Sequence, residues 1–258
     1  MGRFIRGILD NDSTFGQLMT RCGIIMGANL MFILFSLPVV TLGPALVALF
    51  HVMFKVLRGD GVLNPFKEFW TGFRNNWKQG LVFGLLMMAG AFFCIVDIRF
   101  LKTQGGGLTI FKYAVYAVAF VLVILASYTI PVIAAFADTL PNLMRNGIFF
   151  AAKNPFKMIL IVALNVIPVA VTYIDEKMRP LYVFIWAMCG FGAIVMLEAS
   201  LLIKDFAKYL PKVDAYGNFI EEGEENAGEL PGETIPDPEQ NEEKEAKKAL
   251  DDMKKLGM

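Results

Sequence analysis

The chain has 258 residues, 56% of them hydrophobic, and 24 Lys/Arg balance 24 Asp/Glu. Mean hydropathy is +0.54. Soluble domains are about 45–50% apolar and lack long apolar runs, so this composition excludes an ordinary soluble protein, and no nucleic-acid partner is expected. The neutral total hides an asymmetry: residues 1–212 carry 19 Lys/Arg against 10 Asp/Glu, and residues 213–258 carry 5 against 14.

Residues 1–10 place Phe4, Ile5, Ile8 and Leu9 on one helical face with Arg3 and Arg6 opposite, which suits a short helix lying on a membrane surface. Residues 1–21 lack the apolar core of a cleavable signal peptide, so the first span is expected to insert uncleaved. Apolar runs then recur, and the spacing predicts spans at about 22–37, 42–58, 80–101, 112–137, 155–174 and 181–203. Several approach the roughly 20 residues needed to cross a ~30 Å hydrocarbon layer. Barrel strands would alternate in hydrophobicity and these runs do not. The fold class is therefore all-α: a polytopic helical membrane protein of about six spans, with amphipathic helices on its cytoplasmic side.

The first two runs flank Pro38-Val-Val-Thr41-Leu-Gly43-Pro44. Pro38 cannot continue a helix and Pro44 suits the first turn of the next. The break is itself apolar, which places this helix–break–helix within a membrane and makes it the element around which the chain is organised. Residues Pro38, Thr41, Gly43 and Pro44 are read as a structural motif.

Asn64 and Pro65 read as a cap and first position of another helix. Phe66, Phe69, Trp70, Phe73 and Trp77 follow on one helical face, with Arg74 and Lys78 among the residues on the others. Aromatic rings favour the headgroup level and Lys/Arg favour anionic lipid. This stretch is expected to lie in the membrane plane as a separate helix ahead of the span at 80–101, offering a face to lipid or to a partner; packing of that face on other protein is the alternative.

A weak parallel repeat relates Trp70–Lys78 to Phe149–Lys157, and Pro44–Phe50 to Pro131–Phe136. A kink is expected at Pro131. Six spans with the amino terminus inside put fourteen Lys/Arg on the cytoplasmic face and five outside, whereas five spans, with 22–57 fused into one broken span, split them eleven against eight. The positive-inside rule prefers six.

The opening signature, Asn29 in an apolar helix followed by Leu37-Pro38-Val-Val-Thr41-Leu-Gly43-Pro44-Ala and Ala48-Leu-Phe50, resembles that of the YesL-like family of predicted bacterial integral membrane proteins of unknown function. The family's aromatic-basic stretch is similar to Phe66–Lys78, and a later element to Phe136–Thr139, where Ala137 and Asp138 depart from the usual pattern. The resemblance covers about residues 1–210. It implies no established activity; the genes of such proteins often sit beside carbohydrate uptake and degradation genes, which implies a sugar-related accessory role and, as partner, a sugar transporter or sensor subunit.

Catalytic chemistry finds little support. His51 is the single histidine, and its neighbours in sequence supply no metal motif; no cofactor is expected. Cys22, Cys94 and Cys189 lie in apolar helices and read as small apolar residues. The stronger leads are polar groups inside spans, where burial is costly. Interhelical hydrogen bonds explain Asn29 and Asn165 without any substrate; the functional alternative is an intramembrane polar path of Asn29, Asn165 and Glu198 in a small transporter or channel. The acidic tail, 213–258, is expected to be mostly disordered and cytoplasmic, with a short helix at 240–256. The leading reading is a non-enzymatic accessory or scaffold protein of the cell membrane, and the runner-up is the transporter.

Overall fold

The computed structural model describes residues 14–59, 63–104 and 110–209; the expected surface helix at 1–10 and the acidic tail lie outside them. Among the described residues there is no strand, and the all-α expectation holds. The helices are α1 (Thr14–Ser36), α2 (Leu42–Arg58), α3 (Pro65–Gln104), α4 (Phe111–Ala135), α5 (Leu140–Lys153), α6 (Pro155–Ile174) and α7 (Arg179–Phe206). Six of them, all but α5, are long and apolar enough to cross a membrane.

The break between α1 and α2 is apolar, and several of its carbonyls accept hydrogen bonds. Pro38 is extended and a single 3-10 turn, Val39–Thr41, follows. The Thr41 hydroxyl lies 2.5 Å from the Phe35 carbonyl and 2.7 Å from that of Pro38, while the Ser36 hydroxyl donates to the Phe32 carbonyl at 2.6 Å. The Thr41 hydroxyl thus serves the Phe35 carbonyl, which the end of α1 leaves open, and such pairing lets a turn sit in apolar surroundings.

The helix that follows is the centre of the molecule. Ala45, Val47, Ala48, Leu49, Val52 and Met53 are all fully buried, because α1, α3, α4 and α7 all pack on α2. Its far end is closed by Gly59, at φ +80°, whose N–H returns to the Lys55 carbonyl. Among the described residues this left-handed cap is the one place where positive φ calls for glycine.

α2 and α3 run antiparallel at very close range: Pro44 faces Gly80, His51 faces Gly72, and Lys55 Nζ meets Glu68 Oε2 at 2.7 Å. A Cβ on Gly80 would stand 2.7 Å from Pro44 Cα, and one on Gly84 2.9 Å from Gly43 Cα. Gly80 and Gly84, four apart on one face, give the small surface that such approach requires.

α3 corrects the expectation of a separate in-plane helix. Asn64 Oδ1 does cap its start, accepting from Phe66 N–H at 3.1 Å and Lys67 N–H at 3.3 Å. The helix then runs 40 residues without a break, about 60 Å at 1.5 Å per residue. That is twice the hydrocarbon thickness, so the aromatic-basic stretch is the first part of the same rod as the span. The repeat shows why the two units differ. Asn76 aligns with Pro155; Asn76 continues α3, whereas Pro155, lacking an N–H, begins a new helix after α5. At Pro131, by contrast, α4 continues to Ala135.

The three cysteines are free, as expected, but only Cys94 is buried; Cys22 is exposed and Cys189 half-buried.

Candidate functional site

α6 and α7 pair antiparallel through a series of polar contacts that begins at the α6 amino end. Asn154 Nδ2 and Lys157 Nζ donate to Asp205 Oδ2 at 3.4 and 2.6 Å. Two turns further along α6, Asn165 Nδ2 donates to Glu198 Oε1 at 2.6 Å, to the Ile161 carbonyl at 3.1 Å and to Ser127 Oγ of α4 at 3.3 Å. Trp186 Nε1 donates to Thr172 Oγ1 at 3.0 Å, and the Tyr182 hydroxyl to Asp175 Oδ2 at 3.0 Å. Positions 157, 165 and 172 on α6, and 186, 198 and 205 on α7, keep these groups on facing sides.

Glu198 stands out. It is 2% exposed, inside an apolar helix, and its hydrogen-bond partner among the described residues is the Asn165 amide. Tyr128, one residue from Ser127, is 1% exposed with its hydroxyl unpartnered.

Asn29 is elsewhere. Its Nδ2 donates to the carbonyls of Trp186 (3.1 Å) and Ala187 (2.9 Å), and its Oδ1 accepts from Gly192 N–H at 3.0 Å. Those are the backbone groups around a π-wound turn, Trp186–Gly190, in α7. A π turn breaks the regular backbone ladder, and the Asn29 amide fills the gap. Of the three residues proposed for a polar path, Asn165 and Glu198 meet, and Asn29 braces α7. Asn29→Leu is expected to cost about 1–3 kcal/mol, the penalty for buried backbone groups left unpaired. Thermal unfolding in detergent reads this; a variant as stable as the parent contradicts the bracing role.

The aromatic face of α3 divides. Phe69 is fully buried and Phe73 partly buried, both tilted against Phe35 of α1 at 5.6 and 5.0 Å between ring centroids. Phe66, Trp70 and Trp77 remain about half exposed. Arg74 and Lys78 are exposed and have no ion-pair partner among the described residues. Glu68 holds Lys55 and lies 4.0 Å from His51 Nε2, giving that histidine a place in the α2–α3 packing.

A cleft of about 510 Å³ opens where α4 turns into α5. Asp138, Asn142, Arg145 and Asn146 line one side, and aromatic rings including Phe149 and Tyr209 line the rest. Arg145 is exposed and has no hydrogen bond or ion pair among the described residues. Lys153 Nζ stands 4.7 Å over the Tyr209 ring and donates to a hydroxyl only 2.8 Å away, that of Tyr209 itself. The Asp138 carbonyl accepts from Gln79 Nε2 at 2.6 Å, tying this turn to α3. Asp138 Oδ1 accepts from Asn142 Nδ2 and from Thr139 N–H, and these bonds, Asn142 first, hold its carboxyl below the ordinary carboxylate range. A depressed folded pKa adds stability above the unfolded pKa and withdraws it as pH falls through the folded value. Between about pH 6 and pH 3 the parent is therefore expected to lose more thermal stability than Asp138→Asn; equal losses contradict this.

Residues 25–98, the helix–break–helix and most of α3, match a family model described as "Protein of unknown function, DUF624". Over 138 residues the chain is 26% identical to the uncharacterized protein YesL of Bacillus subtilis (strain 168), a match covering 52% of this chain and 65% of that protein. The chain is similar to that protein over this stretch. The YesL-like resemblance drawn from the Asn29–Phe50 signature is thus supported on the residues that carry it. The match spans just under two thirds of the relative's length. No solved structure matches the chain.

Proposed function

We propose that this YesL-like chain is a non-enzymatic protein of the cell membrane that acts by binding, as an accessory or scaffold to a transport or sensing system. The observation that carries this reading is the cleft at the α4–α5 turn, where Arg145, without an ion pair among the described residues, and the amides of Asn142 and Asn146 stand beside aromatic rings. Charged and amide groups beside aromatics suit recognition of a partner's polar surface. The carbohydrate link, with a sugar transporter or sensor subunit as partner, rests on the YesL-like resemblance alone. A photo-crosslinking residue at Asn146, compared with one at the exposed Val118, tests it in native membranes. Adducts to a transport or sensor subunit from position 146 alone are expected; none, or the same adducts from both positions, overturns the reading.

The proposed orientation puts the α2–α3 turn, α5 and the acidic tail in the cytoplasm, on the strength of the Lys/Arg distribution. An impermeant thiol reagent applied to intact cells, with the native cysteines replaced, should label Thr103→Cys and spare Asn64→Cys; the reverse pattern overturns it. A second reading, a small transporter, is favoured by the Asn165–Glu198 contact inside the bundle.

A further inference from the structure

We infer that Arg74, Trp77 and Lys78 of α3 form a site for the headgroup of an anionic phospholipid. Trp77 and Lys78 follow Arg74 by three and four residues, so the three are neighbours on one side of the helix. All are exposed, and none makes a hydrogen bond or an ion pair among the described residues. Other sides of the rod are taken: Phe69 and Phe73 pack on Phe35 of α1, and Gly72 and Gly80 pack on His51 and Pro44 of α2. Two cations and an indole N–H are left over, and they use none of the residues of the α4–α5 cleft.

Depth decides what such a site meets. α3 is 40 residues long. Its apolar part, 80–101, takes up about 33 Å along the axis, as much as the ~30 Å hydrocarbon layer is thick. With that part in the hydrocarbon, residues 65–79 project beyond it. Lys78, Trp77 and Arg74 then stand about 3, 4.5 and 9 Å past Gly80. A headgroup layer is about 5–8 Å deep on each side, so Lys78 and Trp77 fall inside it and Arg74 at its outer edge. That layer is where phosphates are, where indole rings settle and where Lys and Arg gain from anionic lipid. A soluble acidic protein would have to displace headgroups to reach the same side chains.

Acidic side chains do not compete for the two cations. Glu68 is held by Lys55, with His51 4.0 Å from it. Asp138 meets α3 through its carbonyl at Gln79, about 100° round the helix from Lys78, and its carboxyl accepts from Asn142 and Thr139 N–H. Asp97 is about 28 Å from Lys78 along the rod. Charge complementarity therefore favours a headgroup with net negative charge. A zwitterionic headgroup brings a cation of its own, which would meet Arg74 and Lys78.

Native mass spectrometry of the full chain tests the inference, with the protein released from micelles that hold equal amounts of phosphatidylglycerol and phosphatidylcholine of one chain length. The chain is expected to retain phosphatidylglycerol over phosphatidylcholine on the order of tenfold. Arg74→Gln and Lys78→Gln, singly and together, are expected to lower that excess, the pair removing most of it. Arg99→Gln with Lys112→Gln, at the far end of α3 and the start of α4, is expected to leave it unchanged. Equal retention of the two lipids, the result expected of a face made for a protein, overturns the inference. So does an excess that survives loss of Arg74 and Lys78, or one that both pairs of substitutions lower alike. The comparison of lipids uses the unmodified chain, so it stands whether or not a variant folds.

Discussion

Replacing Gly43 with alanine is expected to destabilise the protein by at least about 3 kcal/mol, the upper range for overpacking. The added methyl would collide with the Gly80 carbonyl oxygen and press on Gly84 Cα. All of these are backbone atoms of α3, so no rotamer change relieves them, and α2 and α3 must separate. Separation would open the most completely buried of the six long apolar helices described. Gly23→Ala is the control: it lies in α1 with nothing within 4 Å of the new methyl, and alanine is favoured over glycine in a helix by about 1 kcal/mol. Thermal unfolding in detergent should show a large loss for position 43 and none for position 23. Equal behaviour of the two would mean that α2 and α3 are not in backbone contact.

Phe69→Ala is expected to cost about 3–5 kcal/mol, the range for emptying an aromatic site in a core, and Phe66→Ala far less. Both residues sit on the face that the sequence presents as uniformly aromatic. Phe69 is fully buried and within ring contact of Phe35, whereas Phe66 is half exposed. A face lying on a lipid surface would make the two substitutions similar. A face docked on α1 makes them differ sharply, as melting temperatures in one detergent would show.

The spans and the break were legible because hydropathy and proline act locally. Pro38 and Pro44 forbid a continuous helix whatever surrounds them, and 155–174 is bounded by Pro155 on one side and a polar turn on the other. The continuity of α3 was not legible for a related reason. The shift from basic-aromatic to apolar composition near Lys78 looks like a boundary, but composition sets where a helix sits, and only backbone breakers set where it stops. Gly80 and Gly84 carry no such signal, since their absent side chains serve the approach to α2.

The site was legible in its parts. Glu198 and Asn165 stand out as polar residues in apolar helices, and their meeting depends on the register that the Asp175–Met178 turn gives α6 and α7. Asn29 was grouped with them because sequence shows depth in a span and not direction. Its true partners are backbone groups of a π turn, and a π turn leaves no mark in residue type. The cleft at Arg145 joins residues of the α4–α5 turn, of α5 and of the stretch just after α7, contacts that only tertiary packing creates.

The most direct test of an accessory role is flux through the purified full chain in sealed lipid vesicles, with sugars and monovalent cations offered in turn under a gradient. An accessory protein predicts uptake equal to that of protein-free vesicles for every solute. Saturable uptake that Asn165→Leu abolishes, in a variant still folded in the vesicle, would contradict it and make the chain a transporter in its own right.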